Sequence, residues 1–191
     1  MKLRVHAIEP LSRANGPGWR AAVWLQGCSL GCPGCFNPGT HDPAAGFELE
    51  IQELVARLLV ASRPGRLPAL DGVSFSGGEP LQQPEGFLEL LETLSGRGLS
   101  LLVFSGYTLA EIERQPLGPA ILAKLDVLVA GRYVQQRHLG RGLLGSANQQ
   151  IHLLTSRHTL AEFAAIPTGE IILHPDGSIT HSGIESMPTT R

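Results

Sequence analysis

The chain has 191 residues, 42% of them hydrophobic, with Lys+Arg 15 against Asp+Glu 17 and a formal net charge of −2. That length suits one domain with a proper core plus a small appendage, and the balanced charge provides no basic field of the kind that binds nucleic acid. No run of about 18 apolar residues suggests a membrane span, and three cysteines, an odd number without a signal-peptide pattern, point to a reducing, cytoplasmic setting.

Short β-branched runs alternate with segments of helical period, the pattern of β/α units on a parallel sheet, with five or six strands expected. Lys2 to Ile8 and Arg20 to Gln26 read as the first two strands, separated by the turn signal Asn15-Gly16-Pro17-Gly18. A Gly-rich loop follows, holding Cys28, Cys32 and Cys35. From Glu48 to Ala61, Ile51, Leu54, Val55, Leu58 and Leu59 recur at helical spacing, and Arg63-Pro64-Gly65 is the expected stop. Gly72 to Ser76 reads as a buried strand running into Gly77-Gly78-Glu79-Pro80. Pro84 opens the next helix at a favourable first-turn position, with Phe87, Leu88, Leu91 and Leu94 as its apolar stripe.

Leu99 to Phe104 is another strand, leading into Ser105-Gly106-Tyr107. Two short helical stretches, Leu109 to Arg114 and Pro119 to Lys124, precede a strand from Asp126 to Ala130. Strands that repeatedly end in glycine-bearing loops fit a ligand site at their carboxyl ends. Composition shifts after Leu154: Glu170 to Leu173 and Ser178 to His181 flank a His174-Pro175-Asp176-Gly177 turn, which predicts a β-hairpin, and Glu185 to Arg191 reads as a ragged, disordered end.

The cysteine spacing, Cys-x3-Cys-x2-Cys, carries the chemistry. Three thiolates grip a cubane iron–sulfur cluster at three irons and leave the fourth open to a ligand. Gly27, Gly31 and Gly34 let the loop curl around one side of such a cluster and bring N–H groups near its sulfurs. Two other uses stay open at this point: a Cys3His zinc site recruiting His41, and a redox dithiol of Cys32 and Cys35. Gly77-Gly78-Glu79-Pro80 is by itself a weak motif, a glycine turn before a helix. Placed one β/α unit after the cysteines, it is suited to hold an α-amino acid on the open iron, with Glu79 accepting from the ammonium group.

Together these motifs resemble the radical S-adenosylmethionine superfamily and, more narrowly, its glycyl-radical-enzyme activases of the anaerobic ribonucleotide reductase type. The resemblance runs over about the first 155 residues. It rests on Asn15-Gly16-Pro17-Gly18, Cys32-Pro33-Gly34-Cys35-Phe36-Asn37, Phe75-Ser76-Gly77-Gly78-Glu79-Pro80-Leu81, Phe104-Ser105-Gly106-Tyr107, Val127 to Tyr133 and Gly145-Ser146-Ala147-Asn148-Gln149. The chain departs from it at Ala130, where the family commonly has aspartate, and at Leu143-Leu144, where Trp-Arg is common.

The resemblance implies a [4Fe-4S] cluster on Cys28, Cys32 and Cys35. It implies S-adenosylmethionine contacts from Gly34, Cys35, Phe36 (near adenine), Gly77, Gly78, Glu79, Ser105 and Asn148. The implied reaction is reductive cleavage of S-adenosylmethionine to methionine and a 5′-deoxyadenosyl radical, with no catalytic acid or base. The implied partners are a glycyl radical enzyme and a low-potential electron donor such as flavodoxin or ferredoxin, with no nucleic acid and no membrane. A complete eightfold barrel takes about 250 residues, so the expected fold is α/β: a partial, laterally open (β/α) barrel over residues 1–155, with a β-hairpin extension and flexible tail over 156–191. With no further cysteine, auxiliary clusters are not expected. Two rival readings remain: a single-cluster radical enzyme acting on another protein or a small molecule, and a non-catalytic iron–sulfur or zinc-binding interaction module.

His138, His152, His158, His174 and His181 lack paired metal spacing and read as surface or hydrogen-bonded residues. Trp19 and Trp24 read as packing residues, and Tyr107 and Tyr133 suit either packing or the mouth of the site.

Overall fold

The computed structural model describes residues 1–59 and 68–184. The expected helix stop at 63–65 and the expected ragged end at 185–191 lie outside the described residues. The chain folds as a mixed α/β structure around one seven-stranded sheet of order β3-β1-β2-β4-β5-β6-β9. Its centre is parallel: β2 (Arg20–Leu25), β4 (Gly72–Gly77), β5 (Ser100–Ser105) and β6 (Val127–Ala130) run side by side in one direction. The flanks are antiparallel. On one side β1 (Lys2–Ser12) pairs with β2 and with β3 (Phe47–Glu50). On the other, β9 (Gln150–Leu153) pairs antiparallel with β6.

This differs from an all-parallel reading because β1, β3 and β9 are recruited by the open edges of the core. Apolar spacing does set the helix α1 (Ile51–Leu58), whose Ile51, Leu54, Val55 and Leu58 are buried. Its expected first residues instead form β3, with Leu49 opposite Leu3. Helix α2 (Pro84–Leu94), with Pro84 in its first turn, buries Phe87, Leu90, Leu91 and Leu94. Phe87 meets Phe75 edge-on at 5.2 Å. The short helices α3 (Leu109–Glu113) and α4 (Gly118–Leu122) bury Ile112 and Ile121 in the same core.

The period of two along each strand sorts side chains between two faces. Ala21, Val23 and Leu25 of β2, Val73 and Phe75 of β4, and Leu101 and Val103 of β5 join the helix-covered core. The alternate residues face the other side. There Leu102, Val127 and Val129 pack with Leu143 and with Phe163 of α5 (Leu160–Ala164). A strand pair, β7 (His138–Arg141) and β8 (Leu144–Ser146), lies between β6 and β9 in sequence. In the C-terminal segment β10 (Gly169–Leu173) pairs antiparallel with β11 (Ile179–Gly183). No helix among the described residues is long and apolar enough to cross a membrane.

Arg20 stands on the second face, 0% exposed. Its guanidinium donates to Ser74 Oγ at 2.7 Å, Val73 O at 2.9 Å, Ser100 O at 2.7 Å and Pro17 O at 3.3 Å. Burial pulls its pKa down to about 10, so it remains charged at neutral pH. It ties the Asn15–Gly18 turn to the middle of the sheet. Arg20→Met is expected to lower unfolding free energy by about 3 kcal/mol, because the buried acceptors lose their donor. A denaturation midpoint unchanged from wild type would contradict this role.

Candidate functional site

Because β2, β4, β5 and β6 are parallel, their carboxyl ends lie along one rim of the sheet, where α/β folds place ligands. Four loops leave from that rim: Gln26-Gly27-Cys28, Gly77-Gly78-Glu79, Ser105-Gly106 and Gly131-Arg132. Backbone hydrogen bonds tie the first two together, Gly78 N–H to Leu25 O at 2.8 Å and Glu79 N–H to Gly27 O at 2.9 Å. The cysteine loop is also pinned from its far side, Gly27 N–H donating to Thr40 O and Cys28 N–H to His41 O.

Around this rim lies a cavity of about 410 Å³. Cys28, Cys32, Cys35, Phe36, Gly77, Gly78, Glu79 and Ser105 all line it. Of the expected S-adenosylmethionine contacts, Gly34 and Asn148 are outside the lining. Gly34, at φ +71°, backs onto Gln135. Asn148 donates to Arg132 O at 2.8 Å, while its Oδ1 is buried without a hydrogen-bond partner.

The three cysteines are unpaired and half-buried. Burial pushes the Cys28 and Cys35 thiols up, opposed by backbone N–H groups of Leu30 and Asn37; a bound cation would reverse that balance and hold them as thiolates. Gly27, Gly31 and Gly34 all have positive φ, the conformations that curl this loop. Three thiols facing one roomy cavity fit a cluster held at three of its irons. Among the described residues no group of three or more His, Cys, Asp and Glu is arranged to hold a single metal ion. His41 does not line the cavity, and its buried Nε2 has no partner.

Glu79 is 2% exposed, and burial pushes its pKa up to about 7 against three hydrogen bonds that pull it down. Its carboxylate accepts from Ser105 Oγ at 2.9 Å, Gly106 N–H at 2.8 Å and Leu81 N–H at 3.1 Å. Ser105 therefore acts on Glu79. Gly78 permits the close approach of the two loops: a Cβ there would land on the Gly27 carbonyl oxygen, with the carbonyl carbon at 2.9 Å. Gly78→Ala is expected to displace the cysteine loop and to cut the iron bound after anaerobic reconstitution at least about tenfold, as losses of supporting structure around metal ligands do. Iron content equal to wild type would overturn that expectation.

Several cavity residues were not expected there from the sequence. Trp24, Ser76 and Phe104 reach the cavity because they are on the same face of adjacent strands as Arg20, Ser74 and Leu102. Phe36 lies 4.8 Å from Tyr133 and 5.8 Å from His138, ring to ring, and the Tyr133 hydroxyl lies 3.3 Å from His138 Nδ1. Thr180, His181 and Ser182 arrive from β11. Two further histidines are hydrogen-bonded, His158 to Ser100 at 2.7 Å and His174 to Thr180 at 2.7 Å.

Residues 14–152 match the model of the 4Fe-4S single cluster domain family. The chain belongs to this family. Within it, 158 residues are 32% identical to the anaerobic ribonucleoside-triphosphate reductase-activating protein of Vibrio cholerae, covering 80% of this chain and 99% of that protein. The Salmonella typhi protein of the same name is 31% identical over 159 residues, again 80% of this chain and 99% of its own length. The pyruvate formate-lyase-activating enzyme of Clostridium pasteurianum is 39% identical over 111 residues, 58% of this chain; the match spans under half of that relative, 46%. Among solved structures, QueE from Escherichia coli matches 56% of this chain and 54% of its own at 19% identity, with a TM-score of 0.45. The 4Fe-4S single cluster family and its activating-protein members are thus the setting for these three cysteines, as the sequence motifs implied.

Proposed function

We propose that this chain is a radical S-adenosylmethionine enzyme that carries a [4Fe-4S] cluster on Cys28, Cys32 and Cys35 and installs a glycyl radical on an enzyme of the anaerobic ribonucleotide reductase type. The observation that carries this reading is the meeting of the three-cysteine loop and the Gly77-Gly78-Glu79 strand end at one cavity. Relatives matched over almost their whole length are reductase-activating proteins, which supports it. When bound, the cluster and S-adenosylmethionine supply one-electron reductive cleavage to methionine and a 5′-deoxyadenosyl radical, which takes a hydrogen atom from a glycine Cα.

The protein's own residues bind and orient. Gly77 and Gly78 let this strand end pack directly on the backbone of Trp24, Leu25 and Gly27, which sets the rim against which the amino-acid end of the cofactor lies. Glu79, with three of about four acceptor positions taken by Ser105, Gly106 and Leu81, keeps one for an ammonium group. Phe36, backed by Tyr133 and His138, offers a flat apolar wall to adenine. Gly34 and Asn148 act from just outside the lining, where the unpartnered Asn148 Oδ1 can accept a hydrogen bond.

The sheet ends at β3 and β9, which do not pair with each other; this supports a laterally open partial barrel able to admit a segment of a large protein. The family match ends at 152 and the last strand of the main sheet at Leu153, which supports a division into residues 1–155 and a C-terminal β-hairpin extension, 156–191. Three free thiols support a reducing, cytoplasmic location, and a low-potential cluster needs a donor such as flavodoxin or ferredoxin. The test is anaerobic reconstitution with dithionite: 5′-deoxyadenosine should form, and the partner reductase should gain a glycyl radical signal in electron paramagnetic resonance. Absence of 5′-deoxyadenosine would overturn the reading.

A further inference from the structure

We infer that the outer edge of β11 is a docking edge on which an extended, glycine-bearing segment of the protein substrate adds as a third strand. The inference rests on the activating function proposed above and names where its substrate binds.

The phase of the ladder shows which backbone groups are available. His174 N–H donates to Ser178 O and Ile184 N–H to Thr168 O, so the hydrogen-bonded pairs between these ends are Ile172 with Thr180 and Glu170 with Ser182. The intervening residues of β11, Ile179, His181 and Gly183, turn their N–H and C=O groups away from β10. Among the described residues β11 pairs with β10 alone, so this row is offered to an incoming chain. Exposed edges are normally blunted by lysine, proline or a covering element. Ile179-Thr180-His181-Ser182-Gly183 contains neither residue.

The pair is also held firmly in place. Glu170 accepts from the Ser12 hydroxyl and from Arg13 N–H at 2.9 Å, and Asn15 donates to Ser182 Oγ at 2.6 Å. Thr180, His181, Ser182 and Gly183 line the cavity of the three cysteines, whereas no residue of β10 does. A strand added to β11 therefore runs along the cavity mouth. Glycine in that strand permits the closest approach of its backbone to the site, and strand addition reads a peptide through main-chain bonds.

Two proline variants separate the two edges of the pair. Proline at Ile179 removes an N–H from the cavity edge, and proline at Leu173 removes one from the far edge; both residues are largely exposed, 66% and 74%, and neither lines the cavity. With the reconstituted full-length enzyme and the anaerobic ribonucleotide reductase of the source organism as probe, Ile179→Pro should weaken binding about tenfold and Leu173→Pro by less than twofold. In the wild-type complex, amide exchange at Ile179, His181 and Gly183 should slow at least tenfold. Equal effects of the two prolines, unchanged exchange, or protection of these amides by self-association without the reductase would each overturn the docking edge. If the enzyme cleaves S-adenosylmethionine but leaves the reductase without a radical, the underlying functional reading fails; if the radical forms with these amides unprotected, only the docking edge does.

Discussion

Replacing any one of Cys28, Cys32 or Cys35 with alanine should abolish the brown iron–sulfur absorbance and 5′-deoxyadenosine formation together. The loop has no spare ligand: the chain contains only these three cysteines, and His41 lies outside the cavity lining. Losing a residue that merely supports a metal ligand costs about 10–100-fold in affinity or activity; loss of a ligand itself should exceed that, so turnover is expected to fall by at least about two orders of magnitude. The fold should survive, because the three side chains are only half-buried and contribute to neither apolar core. Far-UV circular dichroism, iron content and product yield on the same preparations provide the check. A single-cysteine variant with full iron and wild-type turnover would exclude the three-thiolate centre.

Glu79 should show the second large effect, and it is pH-dependent. In the cofactor-free protein burial raises its pKa from 4.5 to about 7. The folded state therefore holds this proton more tightly than the unfolded chain does. The associated stability is complete below about pH 4.5 and is lost as pH rises through about 7, a change of about 3 kcal/mol. Glu79→Gln cannot titrate and should remove that share of the pH dependence, which denaturation midpoints at pH 4.5 and 8 would reveal. Identical slopes for wild type and variant would exclude a titrating Glu79. Pairing with an ammonium group needs the ionised carboxylate, so S-adenosylmethionine affinity should fall as pH drops and Glu79 protonates. Glu79→Ala should keep the cluster, bind S-adenosylmethionine at least about tenfold more weakly through loss of a charge-assisted bond, and lose that pH dependence. Calorimetric titration giving unchanged affinity would remove Glu79 from the cofactor site.

The cysteine loop and the Gly77-Gly78-Glu79 strand end were legible in the sequence because their signals are local. Glycine conformations, thiol spacing and a strand-to-loop transition all fall within about ten residues. The helical stripes of α1 and α2 were legible for the same reason, since each apolar face is written at a period of 3.6. Phe47–Glu50 was not: its strand conformation comes from pairing with Lys2–Val5, residues more than forty positions away. Gln150–Leu153 likewise owes its place to the free edge of β6. Trp24 read as an ordinary packing residue, and Phe104 as a strand end, until strand register put them on the cavity side of the sheet.

By itself, the sequence determined that three thiols share one glycine-rich loop able to curl around a metal centre, because thiol spacing and loop curvature are properties of contiguous residues. Only the tertiary structure decided what faces that centre. The parallel alignment of β2, β4 and β5 brings Glu79 and Ser105 into one hydrogen-bonded unit, and the bonds from Ser12 and Asn15 to Glu170 and Ser182 bring β11 to the cavity. Those contacts join residues up to 167 positions apart. Their partners become neighbours only when the sheet and its C-terminal strand pair have assembled.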